Sequence, residues 1–280
     1  MMRRTAFKHG PNLLLHLLLL ALGVLWVYPF VWMIFSSLKT NTEYIASGIK
    51  LLPEAAQWDN FARAWRVGHF STYFTNSAVI TASTVIIVVV LSALTGYALG
   101  RVRFPGSRFL ILAFTVTMFI PKGYTIIPIY QIIKHLGLLN TMPGVILAES
   151  SGAHVLFILL YAAHFRALPK ELEESAEIDG SGFFRTFRQI MLPLSKPIIS
   201  TTVIMQFIWT WNSFFVPLIF TLNKPELRTL AVGMFSFTGE NTVDWTGMAA
   251  GAAISLIPVI LVFIVFQRYF INGIAGSVKG

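Results

Sequence analysis

From Leu168 to Pro197 the chain reads LPKELEESAEIDGSGFFRTFRQIMLPLSKP. Five acids (Glu171, Glu173, Glu174, Glu177, Asp179) and four bases (Lys170, Arg185, Arg188, Lys196) fall within it, between two hydrophobic runs. The chemistry such a stretch offers is docking, because a long polar segment on one side of a membrane protein is a landing place for something soluble. Catalysis has no comparable support. The chain has no Cys, which removes thiol catalysis, a thiolate metal site and a disulfide framework together. It has no G-x(4)-G-K-[ST] phosphate loop. With no metal-ligand or nucleophile constellation either, no catalytic and no metal residue is assigned.

The elements that hold these charges follow from local rules. Pro169 suits a first helical turn, where its missing N–H is no loss. Glu171, Glu173 and Glu174 then sit where the helix dipole favours negative charge. Gly180 suits the C′ position, permitting the left-handed turn that ends a helix. A second short helix is predicted with Phe183, Phe184, Phe187, Ile190 and Met191 on one face and Arg185, Thr186, Arg188 and Gln189 on the other. Pro193 stops it and Pro197 starts the next span. Two short helices with a sharp bend between them result. Periodicity leaves open whether they meet a partner or rest on lipid headgroups.

The surrounding chain is apolar: 55% hydrophobic and 12% charged residues, with a mean hydropathy of +0.70, lie outside the soluble globular range. Runs of about 20 apolar residues, each long enough to cross ~30 Å of hydrocarbon, predict an all-α polytopic membrane protein with six spans. They fall near Leu13–Phe35, Tyr73–Leu99, Phe109 to Pro121, Pro143–Phe165, Ile198–Leu222 and Gly247–Phe266. The start is basic and then apolar, as in a signal peptide, but the run is long and no small-residue cleavage site follows, so it reads as a retained span. Lys122 after Pro121 marks the end of span three, with Tyr124–His135 along the far surface or a wet cavity. Trp58, Phe61 and Trp65 recur at helical spacing and predict an amphipathic surface helix. Gly247, Gly251 and Ser255 predict a close-packing face.

Lys and Arg counts orient the chain. With six spans, the N-terminus, the Arg101–Arg108 turn, the central loop and the tail share one side and hold 13 of the 21 basic residues. The positive-inside rule puts that side, both termini and the central loop in the cytoplasm. The net charge of +9 therefore reads as an orientation signal, with no nucleic-acid partner implied. Residues 1–71 form a first span with an outer loop, 72–270 the core with the loop 168–197, and 271–280 a cytoplasmic tail.

Gln206, Trp209, Trp211, Asn212 and Phe215 in span five supply the stacking faces and amide donors that sugars need. They are substrate-pathway candidates, although aromatic residues in spans also serve as packing. Glu149-Ser150-Ser151-Gly152 either faces a path or satisfies itself against neighbouring helices.

From Glu174 the residues run E-S-A-x(3)-G, nine residues, then I-x-L-P at Ile190, Leu192 and Pro193. This resembles the EAA loop of ABC-importer permeases, E-A-A-x(3)-G-x(9)-I-x-L-P, with Ser175 in place of the first alanine. Asn76-Ser77, Arg103-Phe104-Pro105-Gly106, Ile127-Pro-Ile-Tyr130, Leu136 to Thr141, Trp211-Asn212 and the QRYFI…GSVKG ending resemble the carbohydrate-importer branch. The likeness is to the shorter permease subunit of the maltose importer and spans residues 12–280.

The resemblance implies a type I importer permease in a bacterial or archaeal cell (inner) membrane. It would pair with a second permease as a heterodimer, with two copies of an ATPase that bind ATP and Mg, and with an extracytoplasmic solute-binding protein. This chain would bind no cofactor itself and would touch lipid and a di- or oligosaccharide. Glu174, Ala176, Asp179, Gly180, Phe183, Phe184, Arg185 and Phe187 would couple to the ATPase. Gly239, Glu240, Asn241, Asp244 and Trp245 would approach the binding protein. A glycerol-phosphate or polyol importer stays open as an alternative. So does an ion-coupled secondary transporter, although Glu149 and His154 are the sole intramembrane ionisable pair in view and no convincing repeat is present.

Overall fold

The computed structural model describes residues 13–46, 48, 50–67, 69–151, 154–239 and 243–277, with backbone alone for 67, 122 and 269–277. In chain order the helices are α1 (Leu13–Ser36), α2 (Asn41–Ala46), α3 (Asp59–Val67), α4 (Phe70–Arg101), α5 (Ser107–Thr117), α6 (Lys122–His135), α7 (Met142–Ser150), α8 (His154–Ala167), α9 (Glu171–Ile178), α10 (Phe183–Thr186), α11 (Leu192–Leu194), α12 (Lys196–Trp211), α13 (Phe215–Phe220), α14 (Leu230–Gly233) and α15 (Trp245–Ser277). Among the described residues the fold is helical, with one isolated antiparallel bridge, Thr238 to Val243. The all-α class stands. α1, α4 and α15 are each long and apolar enough to cross a membrane, and α7–α8 and α10–α12 do so as bent pairs. The apolar α5, 11 residues and about 17 Å long, lies where the remaining span is expected.

Two compact units make up the chain, one of residues 1–67 and 237–254, the other of 68–236 and 255–280. In the first, α1 exposes its whole hydrophobic window, so its solvent must be lipid or another chain. Beyond it, Lys39 is buried and donates its ammonium to the Lys50 carbonyl. Asn60 on α3 donates to the carbonyls of Ser37 and Lys39, both at 2.8 Å. The predicted surface helix is present, but its buried side is Asn60 and Ala64, while Trp58 and Trp65 face outward.

In the second unit α4 is the axis. Gly96 and Gly100 let α8 approach its backbone. A Cβ at Gly96 would strike the Tyr161 Cβ, and one at Gly100 would lie 2.7 Å from the Ala162 carbonyl oxygen. This small-xxx-small contact went unrecognised in the sequence. The predicted face at Gly247, Gly251 and Ser255 has another use: Gly247 sits against the Asp244 carboxylate, and the Ser255 carbonyl accepts the Trp211 indole N–H at 3.0 Å. Val88, Ala93, Tyr97, Phe157, Tyr161, Phe165, Phe187 and Met191 form one buried core joining α4, α8 and the segment after α10.

Two expected elements differ. Span five is not continuous to Leu222. Asn212 turns its amide back to the Ile208 carbonyl at 2.8 Å, the helix stops, and α13 restarts at Phe215 so that Pro217 falls in a first turn where it is tolerated. The second helix of the central loop is likewise not uniform. After α10 the backbone opens into a π turn over Phe187–Met191, so the five apolar side chains no longer share a face.

Candidate coupling site and translocation cavity

α9 ends as its sequence predicts. Gly180 adopts φ +73°, the Ser181 N–H donates to the Ala176 carbonyl at 2.8 Å, and the Gly180 N–H donates to that of Glu177 at 2.9 Å. This pair of bonds is the Schellman termination. The chain then reverses into α10, where the Thr186 hydroxyl donates to that of Ser181 at 3.0 Å. The helical run from Phe183 to Leu194 meets α12 at 77°.

The bend is anchored to α4 at two points. The Arg101 guanidinium, its side chain 6% exposed, donates to Glu173 Oε2 at 2.6 Å and to the carbonyls of Leu168 (2.9 Å), Phe165 (3.3 Å) and Pro169 (3.2 Å). The Tyr97 hydroxyl donates to Glu173 Oε1 at 2.9 Å. One turn up, the Tyr97 ring packs on Phe183, Phe187 and Phe165 with centroids 4.9, 5.2 and 5.3 Å away. A fixed fork with five donors suits several acceptors at once. Neither Tyr97 nor Arg101 was singled out in the sequence for this role; the excess of acids in α9 over its own bases was the available signal.

The eight coupling candidates divide. Glu174, Asp179, Gly180, Phe184 and Arg185 lie at the surface, Phe184 at 72% exposure, and Phe183 is half-exposed on Tyr97. Ala176 and Phe187 are buried, so their part is internal support. Thr186, assigned to the polar face, is also buried, because its hydroxyl closes the turn onto Ser181. Ile178, which the sequence reading passed over, is 86% exposed at the end of α9. Ile178 and Phe184 thus leave bulky apolar surface uncovered beside charges. A groove of about 1560 Å³ runs alongside, lined by Arg103, Arg108, Arg166, Lys170, Glu174 and Glu177 among others.

At the opposite end of α4, roughly 37 Å away at 1.5 Å per residue, the Asn76 amide donates to the carbonyls of Glu226 (2.8 Å) and Arg228 (2.9 Å). The Ser77 hydroxyl accepts the Leu230 N–H at 2.8 Å. The loop after α13 and the loop before α12 are therefore held at the two ends of one helix.

The pathway candidates divide too. Gln206 and Trp209 line a cavity of about 160 Å³ with Thr125, Glu149, Ser151 and Ser213. Trp211 is buried, packed on Phe74 and Phe207, and serves as structure. Asn212 and Phe215 are exposed outside that cavity. Glu149 and Ser151 face the space, and Gly152 lies outside the described residues. Of the outer-loop set, Glu240 and Asn241 lie outside the described residues and Gly239 is exposed. Asp244 caps α15, accepting the Gly247 N–H at 2.9 Å, and binds Arg63 and the Asn41 amide at 3.0 and 3.2 Å. Trp245 stacks on Tyr44 at 5.8 Å.

A family model described as binding-protein-dependent transport system inner membrane component matches residues 88–276. The diacetylchitobiose uptake system permease protein NgcG of Streptomyces coelicolor is 33% identical over 94% of this chain and 86% of its own. The trehalose transport system permease protein SugB of Mycobacterium tuberculosis is 37% identical over 90% of this chain and 92% of its own. In fold, the chain superposes on one from a bacterial ABC transporter involved in the import of the acidic polysaccharide alginate, with a TM-score of 0.81 and 22% identity over 96% of this chain and all of that one. The matched span takes in both the bent element and the cavity, and sets the ion-coupled carrier aside. The chain belongs to the inner membrane components of binding-protein-dependent transport systems.

Proposed function

We propose that this chain is one of two different permease subunits of a binding-protein-dependent ABC importer for a di- or oligosaccharide. The α9–α10 bend docks two ATPase copies' worth of motion one copy at a time: each permease takes one nucleotide-binding subunit, and this chain takes its own on Ile178, Asp179, Phe184 and Arg185. Closure of the ATP- and Mg-loaded ATPase pair then moves the spans between inward- and outward-facing arrangements. Such a lever needs a rigid docked element joined to the spans. The single observation that supports it is the Arg101–Glu173 anchor, which ties α9 directly to the longest helix of the second unit. The side carrying the bend would be cytoplasmic, with both termini, by the basic-residue bias. Glu174 would meet a basic group of the ATPase. The loop around Gly239 and Trp245 would meet the binding protein. The saccharide assignment is supported by the named cargoes of the two permease relatives.

Co-purification from membranes and ATPase assays in proteoliposomes test this reading. The wild-type chain is expected to bring down an ATPase and a second permease, and hydrolysis is expected to rise with a loaded binding protein. Gly180→Pro should abolish that rise and uptake together, since proline cannot take φ +73°. Uptake that persists without any such ATPase overturns the reading.

A further inference from the structure

The 160 Å³ cavity beside α12 has a chemical bias that neither the family nor its relatives' names assign. Gln206 is 1% exposed. Its amide N–H donates to the Thr210 hydroxyl at 2.9 Å, but its side-chain oxygen is buried with no hydrogen-bond partner among the described residues. A buried acceptor left unmatched costs about 1–3 kcal/mol, so an acceptor that lines a cavity is complementary to a donor brought by a ligand. Glu149 adds a carboxylate to the same lining, Thr125, Ser151 and Ser213 add hydroxyls, and Trp209 adds an aromatic surface. No Lys or Arg lines it. Gln206 stands ten residues beyond Lys196, about 15 Å along the helix, half the ~30 Å hydrocarbon thickness.

Resting on the reading above, we propose that this cavity is a selectivity station of the translocation path. It takes one hydroxyl-bearing ring of a neutral saccharide, with hydroxyl donors on the Gln206 oxygen and Glu149, and rejects uronate and phosphorylated sugars. The volume is well below the roughly 300 Å³ at which pockets for drug-sized ligands begin, so it admits one ring at a time. An anionic group placed against Glu149, with no cation in the lining, is repelled and poorly solvated, which is specificity by exclusion. The alginate importer shares the fold at 22% identity, so the shared fold leaves cargo charge open; here the lining sets it against acidic sugars.

The absence of Cys gives a clean test. Ser213→Cys places the sole thiol of this chain at the cavity, and its labelling by N-ethylmaleimide is followed on this chain's gel band in the full complex. Trehalose and N,N′-diacetylchitobiose are the neutral probes, and digalacturonate and glycerol 3-phosphate the anionic ones. At least one neutral probe is expected to slow labelling fivefold or more, and neither anionic probe to slow it. Adding Gln206→Leu should remove the protection, and adding Glu149→Gln should let digalacturonate protect within threefold of the neutral probe. Protection by anionic probes equal to that by neutral ones, or by none of the four, overturns the proposal. Binding-protein-stimulated ATPase of the same preparations separates the two failures: its persistence leaves the importer reading standing while the selectivity station falls. Ser213→Ala with Glu149→Gln, which leaves the buried Gln206 intact, is the second variant, and should relax selectivity in uptake without lowering stimulated hydrolysis more than twofold.

Discussion

The two ends of α4 are fastened in different ways. At the Arg101 end the fastening is ionic: a guanidinium shared among a carboxylate and three carbonyls, with a phenol on the other carboxylate oxygen. At the Asn76 end it is neutral: one amide and one hydroxyl against backbone groups of the loop after α13. Neutral bonds contribute about 1 kcal/mol each and give way singly. A charge shielded from water is costly to leave alone, so the Arg101 end moves as a block with α9 or not at all. An element that must transmit displacement to the spans is served by the second kind of joint, and an element that need only stay closed over a surface by the first.

That contrast can be broken from either side. The largest effect is expected from Arg101→Ala, which leaves Glu173 beside a bare core and should cost about 3 kcal/mol, seen as a lowered melting temperature of the purified complex and loss of stimulated ATPase. Arg101→Lys should recover part of the stability and little of the coupling, since an ammonium cannot reach the same four acceptors. Asn76→Ala should cost about 1–2 kcal/mol and lower uptake a few-fold, with stimulated hydrolysis retained. If Asn76→Ala uncouples hydrolysis as Arg101→Ala does, the ends are equivalent and the distinction fails. The smallest stability change, within about 0.5 kcal/mol, is expected from Phe184→Ala at its exposed position. The same substitution should weaken ATPase co-purification tenfold or more, because a large aromatic in a partner's pocket contributes far more to binding than to folding. Pull-down at graded detergent wash measures it.

Much of the site was legible along the chain because its signals are local. Pro169, the early acids and Gly180 each act within one helical turn, and the structure realises them as a dipole-matched start and a Schellman end. The π turn at Phe187–Met191 was not legible: Phe187 and Met191 fit a helical stripe equally well in either arrangement, and burial against Tyr97 and Phe165 selects the wider one. Trp211 and Trp209 differ by two positions in a run of aromatics, and no local rule tells a packing indole from a cavity wall.

By itself, then, the sequence determined the class of solvent around each segment, the places where helices start and stop, and the family spacing from Glu174 to Pro193, because all three depend on neighbours within a few bonds or turns. Only the tertiary structure decided that Arg101 clasps Glu173, that Asn76 holds the loop after α13, and that Gln206 meets Glu149 across a cavity. Those pairings join residues 57 to 152 positions apart, and helix packing through Gly96 and Gly100 sets which side chains come within reach.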